Sequence, residues 1–350
     1  MPSPALSLLT LNIGNPSVAR ARRQLAWLIR RDEQVLVLTE TKASAGCRLL
    51  AGEFTAAGYA VHYPEPGPGE YGTMIVATVP VTPDDGFGDR VGYLPARAAA
   101  AILPAPGGPL RVIGLYVPAR DASIGKTERK RKWLAACDAA LAAAAGEMPA
   151  IVLGDLNVLE PGHRPGYPFF EPFEYDFYRA LAGPHRLTDA FRHLHPDEAE
   201  YSWVGRVGDG YRYDHAFCCR SLSSRITACD YLHQPREDGL SDHSALTMTL
   251  AITPPAPLPP PSAAAGDQRG HLPRRSSSSR TPSSSGITCR TLATAEYPAS
   301  AETSASAPTA CAAAARTASN APMLVISSNR RSPSRRSGSS TISSGESSST

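Results

Sequence analysis

The chain has 350 residues, 42% of them apolar, enough to bury a sizeable core in one large domain or two ordinary ones. The formal net charge of +3 hides an asymmetry: from Ile252 onward there are 10 arginines, no lysines and 4 acidic residues, which leaves 25 basic and 28 acidic residues before it, a net of −3. Residues 1–251 therefore lack the bulk positive charge of a strong non-specific nucleic-acid binder, and any such contact needs a local basic patch. In chain order, apolar runs predict strands over Leu6–Ile13, Val35–Leu38, Thr73–Val79, Ala98–Leu103, Arg111–Val117, Ala150–Leu153, Tyr213–Cys218 and Ala245–Ile252. Helical patterns lie over Val18–Arg31, Lys126–Ala145 and Phe173–Ala182. Mixed strands and helices over ~250 residues predict an α/β or α+β domain with large sheets.

Composition changes sharply at 252. A proline-rich stop, Thr253–Ser262, opens a segment of Ser, Ala, Thr, Pro and Arg with few large apolar residues. Such a segment cannot bury enough apolar surface to offset its ordering entropy. The expected organisation is a catalytic domain over 1–252 and a disordered tail over 253–350. The seven scattered cysteines show no zinc-ligand spacing and are expected to be free thiols. No apolar stretch approaches the ~20 residues of a membrane span, so a cytoplasmic location away from any membrane is expected.

Polar residues able to bind metal or phosphate stand at the ends of these strands: Asn12, Glu40, Tyr116, Asp155, Asn157, Asp214 and the pair Asp242-His243. Strand ends of layered folds gather at one rim, where ligands bind. Glu40, Asp155, Asp242 and the amides of Asn12 and Asn157 are hard oxygen donors suited to Mg2+ or Mn2+ rather than zinc. A metal would neutralise a phosphoryl oxygen, Asp155 could take a proton from the attacking water, and His243 could donate to the phosphate. Asp214 could orient that histidine, and Tyr116 offers a phenol. Singly, each is an ordinary turn or strand-end residue; six such elements in one order make chance a poor explanation.

The ordered set resembles the endonuclease/exonuclease/phosphatase superfamily over residues 6–250, and most nearly its exonuclease III-like DNA repair nucleases. The motifs are Leu9-Thr-Leu-Asn-Ile13, Leu38-Thr-Glu-Thr-Lys42, Tyr71-Gly72, Tyr116-Val-Pro118, Gly154-Asp-Leu-Asn157, Leu187-Thr-Asp-Ala-Phe-Arg192 with Tyr201-Ser-Trp203, Arg212-Tyr-Asp214 and Ser241-Asp-His243. The resemblance implies a four-layer αββα sandwich of two packed mixed sheets flanked by helices. It also implies a metal-dependent phosphodiester hydrolase of the abasic-site endonuclease or 3′–5′ exonuclease type, acting on DNA as a monomer. It matches the family's helix lysine to Lys130, and makes Trp203 the candidate for an abasic-sugar pocket. Arg120, in the turn after Tyr116-Val-Pro118, joins these as a candidate substrate contact. Lys126, Arg129, Lys132 and Arg164 are either phosphate-backbone contacts or a solvated face. His215 stands where this branch commonly has an aliphatic residue, and is expected to be a strand residue with a satisfied imidazole. Two alternatives remain open: a phosphatase or phosphodiesterase of small molecules or lipids, and a non-catalytic nucleic-acid-binding member.

Overall fold

The computed structural model describes residues 4–261. The elements run β1 (Leu6–Asn12), α1 (Val18–Leu28), β2 (Val35–Thr41), α2 (Ala45–Ala56), β3 (Ala60–His62), β4 (Gly72–Ala77), β5 (Thr82–Pro83), α3 (Asp85–Val91), β6 (Ala98–Leu103) and β7 (Leu110–Tyr116). They continue α4 (Ile124–Ala144), β8 (Ala150–Asp155), α5 (Pro172–Ala182), β9 (Leu187–Asp189), α6 (Ala190–Leu194), β10 (Trp203–Val204), β11 (Gly210–Tyr211), β12 (Asp214–Cys219), β13 (Ile226–Leu232), α7 (Gln234–Glu237) and β14 (Ala245–Leu250). One six-stranded sheet has the order β13-β14-β1-β2-β4-β3 and the other β5-β6-β7-β8-β12-β9. Each mixes parallel and antiparallel pairs.

The layering follows from strands that are apolar on both faces. In β1 and β2, Leu6, Leu8, Val35 and Val37 point into the space between the sheets, against Ala99, Ala101, Val112, Leu153 and Ala216. Their alternates Leu9, Leu11, Leu36 and Leu38 face Trp27 and Leu28 of α1 and Leu50 and Phe54 of α2. The second sheet turns Ile113, Leu115, Val152 and Phe217 outward onto Phe87, Trp133, Leu141 and Phe177 from α3, α4 and α5. The result is the expected αββα sandwich, in which each fully buried Leu or Val contributes about 1.5–3 kcal/mol. Gly114 permits close approach between the sheets, since a Cβ there would lie 2.6 Å from Val37 Cγ1.

Three differences from the predicted elements matter. Strand β2 runs on to Thr41, so Glu40 lies inside it, at a register shift between Thr39 and Thr41. Helix α2 is not among the predicted elements: Cys47, Leu50 and Phe54 keep the spacing of a buried helical face, but Gly46 and Gly52 are poor helix formers; Ser44 caps it by accepting from the Cys47 N–H. The boundary expected at 252 is also crossed. Pro255 is buried, the Leu258 N–H donates to Thr78 O at 2.7 Å, and Pro261 packs on Gly58. Residues 253–261 thus lie along the body: a proline run cannot extend a sheet, but the Leu258 N–H between its prolines still finds a carbonyl. The remainder of the expected tail, 262–350, lies outside the described residues. Among the described residues, no helix is long and apolar enough to cross a membrane, and Cys47, Cys137, Cys218, Cys219 and Cys229 are free thiols.

Candidate active site

Strand direction explains why the polar residues meet. Strands β1 and β2 are parallel, as are β7 and β8, so Asn12, Glu40, Tyr116 and Asp155 all stand at C-terminal ends. Strand β12 runs antiparallel to β8 and begins at the same rim, with Asp214 opposite Asp155. Strand β14 is antiparallel to β1, so the turn before it brings His243 to that rim too. Gly154 is required here. Its φ is +148°, and a Cβ would come within 2.1 Å of Leu115 O. Glu40 and Asn157 hold left-handed φ values of 58° and 48°, conformations that cost non-glycine residues about 1–3 kcal/mol and cluster at functional sites.

The Asn12 amide is the hub. Its Nδ2 donates to Glu40 Oε2 and to Asp155 Oδ2, each at 2.9 Å, and lies 3.5 Å from His243 Nε2. Its Oδ1 accepts the Gly14 N–H at 2.8 Å. Asp155 Oδ1 accepts the Asn157 N–H at 2.9 Å, and the Asn157 side chain donates to Val117 O at 3.0 Å. His243 Nδ1 lies 2.7 Å from Asp214 Oδ2, while its Nε2 faces Asp155 Oδ2 at 4.0 Å. Asn12, Asp155, Asp214 and His243 are all buried. Burial holds the Asp155 carboxyl well above the usual carboxylate range, against the nearby His243 charge. Burial opposes the imidazolium of His243, but the carboxylates of Asp214 and Asp155 outweigh it and push the group up. Burial, with Glu40 and Asp155 beside it, keeps the Tyr116 phenol protonated and able to donate.

Donor atoms of Asp155, Asp214 and His243 lie within 4.8 Å of one another. Because Nδ1 of His243 is taken by Asp214, those two form a hydrogen-bonded pair. The carboxylates left to face a cation are Glu40 and Asp155. Two carboxylates drawn to one neutral amide, with a phenol nearby, suit a hard divalent cation. Asp242, expected among the ligands, is not part of this group. It is exposed, and its Oδ2 accepts from Trp203 Nε1 at 3.1 Å.

Trp203 is half-buried beside the site, its ring 5.4 Å from Tyr211 and 6.0 Å from Tyr213, and its backbone bridges His243. Lys130 and Arg120 do not reach the rim as free cations. Lys130 is 1% exposed and pairs with Glu174, and Arg120 grips the same carboxylate from the other side. The basic face of α4 is largely neutralised: Lys126 pairs with Asp121, Arg129 with Glu70 and Arg131 with Glu171. His215 is buried within β12, its Nε2 3.1 Å from Val158 O.

Several supporting residues carried no signal of their own. Ser241 Oγ accepts the His243 N–H and donates to Asn12 O. Ser202 Oγ accepts the N–H groups of Tyr213 and Asp214, both at 3.0 Å. Both serines lie inside recognised motifs, which was the only available clue. Arg97 is buried 4.7 Å from the Tyr116 ring centroid and donates to Tyr116 O; nothing in its local sequence marks it.

Solved structures with this fold include an AP endonuclease from Archaeoglobus fulgidus, 24% identical with a TM-score of 0.60, the match covering 71% of this chain and 100% of that one. A 3′ phosphatase from Neisseria bound to a product DNA hairpin is 22% identical with a TM-score of 0.59, covering 69% and 98% of the two chains. A 3′–5′ exonuclease from Neisseria meningitidis is 22% identical with a TM-score of 0.58 and the same coverage. At these identities the likeness establishes the fold. The family model for endonucleases, exonucleases and phosphatases matches residues 9–243, the span that holds every residue of the rim from Asn12 to His243, and the chain belongs to the endonuclease/exonuclease/phosphatase family.

Proposed function

We propose that the protein is a divalent-metal-dependent phosphodiester hydrolase acting on DNA, of the abasic-site endonuclease or 3′-end-processing type. The observation that carries this reading is the Asn12 amide bridging Glu40 and Asp155 beside the His243–Asp214 pair. Glu40 and Asp155, with Asn12 and Asn157 adjacent, would hold Mg2+ or Mn2+, which when bound neutralises a phosphoryl oxygen and stabilises the departing one. Asp155, buried with Oδ2 4.0 Å from His243 Nε2, takes the proton of the attacking water. The water oxygen bonds to phosphorus as the ester P–O bond breaks. His243, fixed through Nδ1 by Asp214 and kept cationic, presents its Nε2–H to a phosphoryl oxygen. The Tyr116 phenol is a second donor.

DNA as substrate is supported by the bound DNA hairpin of the Neisseria phosphatase. The half-buried Trp203, with Tyr211 and Tyr213, offers an aromatic wall for a sugar lacking its base. The five free thiols among the described residues fit a reducing compartment such as the cytoplasm. A second reading, a phosphatase of small molecules or lipids, is favoured by the paired cations of α4, which leave that face little charge for a polyanion.

The test is cleavage by purified protein of abasic, 3′-phosphate, nicked and single-stranded DNA and of RNA, with and without magnesium. The reading expects metal-dependent cleavage of DNA that is abolished in Asp155→Asn and His243→Ala. Full activity in either variant refutes the site. Turnover of a phosphoinositide or nucleotide with no DNA cleavage selects the second reading.

A further inference from the structure

The buried pair Lys130–Glu174 lies behind the rim, on the two helices that cover the second sheet. Lys130 Nζ divides its contacts between Glu174 Oε1 and the backbone carbonyl of Asn157, both at 2.6 Å. Glu174 is wholly buried and also accepts from Arg120 Nε and Nη2 at 3.0 and 2.7 Å. The carbonyl that Lys130 grips belongs to a residue in left-handed backbone, φ 48°. That residue donates its own N–H to Asp155 Oδ1. A single chain of hydrogen bonds therefore runs from Glu174 through Lys130 and the Asn157 backbone to the carboxylate proposed as the base.

We infer that Lys130, held by Glu174, is a positioning residue that fixes the Asp155–Asn157 turn and through it the direction of the Asp155 carboxylate. The inference rests on the site proposed above. It assigns Lys130 no contact with substrate, which its burial forbids. A left-handed turn at a non-glycine residue persists only where its surroundings over-determine it. Here the Asn157 N–H, carbonyl and side-chain amide are each bonded, and Lys130 supplies the carbonyl's bond. A role confined to stability is a separable case. Replacing a buried ion pair by apolar side chains of similar size is often neutral or stabilising, so stability alone gives little reason to bury a lysine here.

The deciding variant is the double substitution Lys130→Met with Glu174→Gln, which removes both charges of the pair and leaves an amide oxygen for Arg120 to donate to. Two readouts are compared with the unaltered chain: amide hydrogen exchange over residues 155–158, and kcat and KM for magnesium-dependent cleavage of a DNA phosphodiester probe. Positioning expects exchange at this turn to speed at least about tenfold while the β8 core is unchanged. It expects kcat to fall at least about tenfold with KM within about twofold, and Lys130→Arg with Glu174 intact to recover most of the rate. Unchanged exchange and unchanged kcat in the folded double variant overturn the inference. If the double variant does not fold, Glu174→Gln, which loosens Lys130 without removing it, carries the same expectations. An unaltered chain that cleaves no phosphate ester refutes the proposed function, and hydrogen exchange still decides the positioning.

Discussion

His243 and Asp214 come from chain segments 29 residues apart, yet their side chains meet at 2.7 Å in a buried hydrogen bond that fixes which imidazole nitrogen faces the rim. Among the described residues Asp214 Oδ1 has no hydrogen-bond partner, and the carboxylate's bond to His243 is made through Oδ2. Asp214→Asn should keep the shape and lose the charge. The expected result is a fall in kcat on the order of 10²-fold or more, with little change in KM. The sign of the pH effect follows from the same pair. The raised His243 pKa means that the cationic form persists to high pH and is lost as pH rises through that value. Removing the Asp214 charge lowers it, so the alkaline limb of the kcat profile moves to lower pH. A limb that does not move would assign that titration to another group.

Glu40 and Asp155 predict metal linkage. Their oxygens converge on one neutral amide. Magnesium or manganese should raise the melting temperature, and saturating metal at 100-fold over its Kd adds about 2.7 kcal/mol. EDTA should reverse the shift. Glu40→Gln combined with Asp155→Asn should abolish it, and a full shift in that variant would place the metal elsewhere.

Gly154 carries a stability prediction. Its φ of +148° and the 2.1 Å approach of a built Cβ to Leu115 O involve rigid backbone on a central strand pair. Gly154→Ala should cost more than about 3 kcal/mol, a large share of a domain's total stability. Urea denaturation measures it. Gly52→Ala is the control, because nothing lies within 4 Å of the built Cβ in α2, and it should be neutral or stabilising.

The mixed α/β class was legible in the apolar runs and helical patterns and the polar residues at their strand ends, whereas the αββα sandwich was implied by the family resemblance. Asn12, Glu40, Tyr116, Asp155, Asp214 and His243 could be picked out for that reason, and strand direction then brings them together. Lys130 and Arg120, expected as substrate contacts, instead both pair with Glu174. A lysine on a basic helix turn reads the same whether it faces solvent or a buried glutamate, and Glu174 lies 44 residues away. Asp242 had the right type and neighbours, but the Trp203 indole takes its carboxylate. Such pairings depend on side-chain direction between elements distant in sequence, which periodicity does not encode.

The last prediction concerns acid. Arg212 is wholly buried and pairs with Glu160 Oε2 at 2.5 Å and Asp189 Oδ2 at 2.9 Å, and Arg192 adds a contact to Glu160 at 2.6 Å. Burial alone would raise the Glu160 carboxyl, but the two guanidinium groups outweigh it and bring it down to about 2. Asp189 is lowered against burial in the same way by Arg212 and His215. A folded-state pKa below the unfolded one gives stability that is present above the unfolded value, near ~4.3 for glutamate, and lost as pH falls toward the folded value. For Glu160 this amounts to about 3 kcal/mol. Asp155 has the opposite sign: its raised carboxyl takes up its proton in the fold as pH falls from about 7 toward the unfolded value near ~4, so its gain in stability comes mostly above the range of this loss. The unaltered chain should therefore lose stability steeply between about pH 4.5 and pH 2. Glu160→Gln should be less stable at pH 7, since Arg212 loses a charged partner, and its stability should fall less over that interval. Chemical denaturation at several pH values measures both slopes. Parallel slopes would mean that the acid transition is driven by carboxylates outside this cluster.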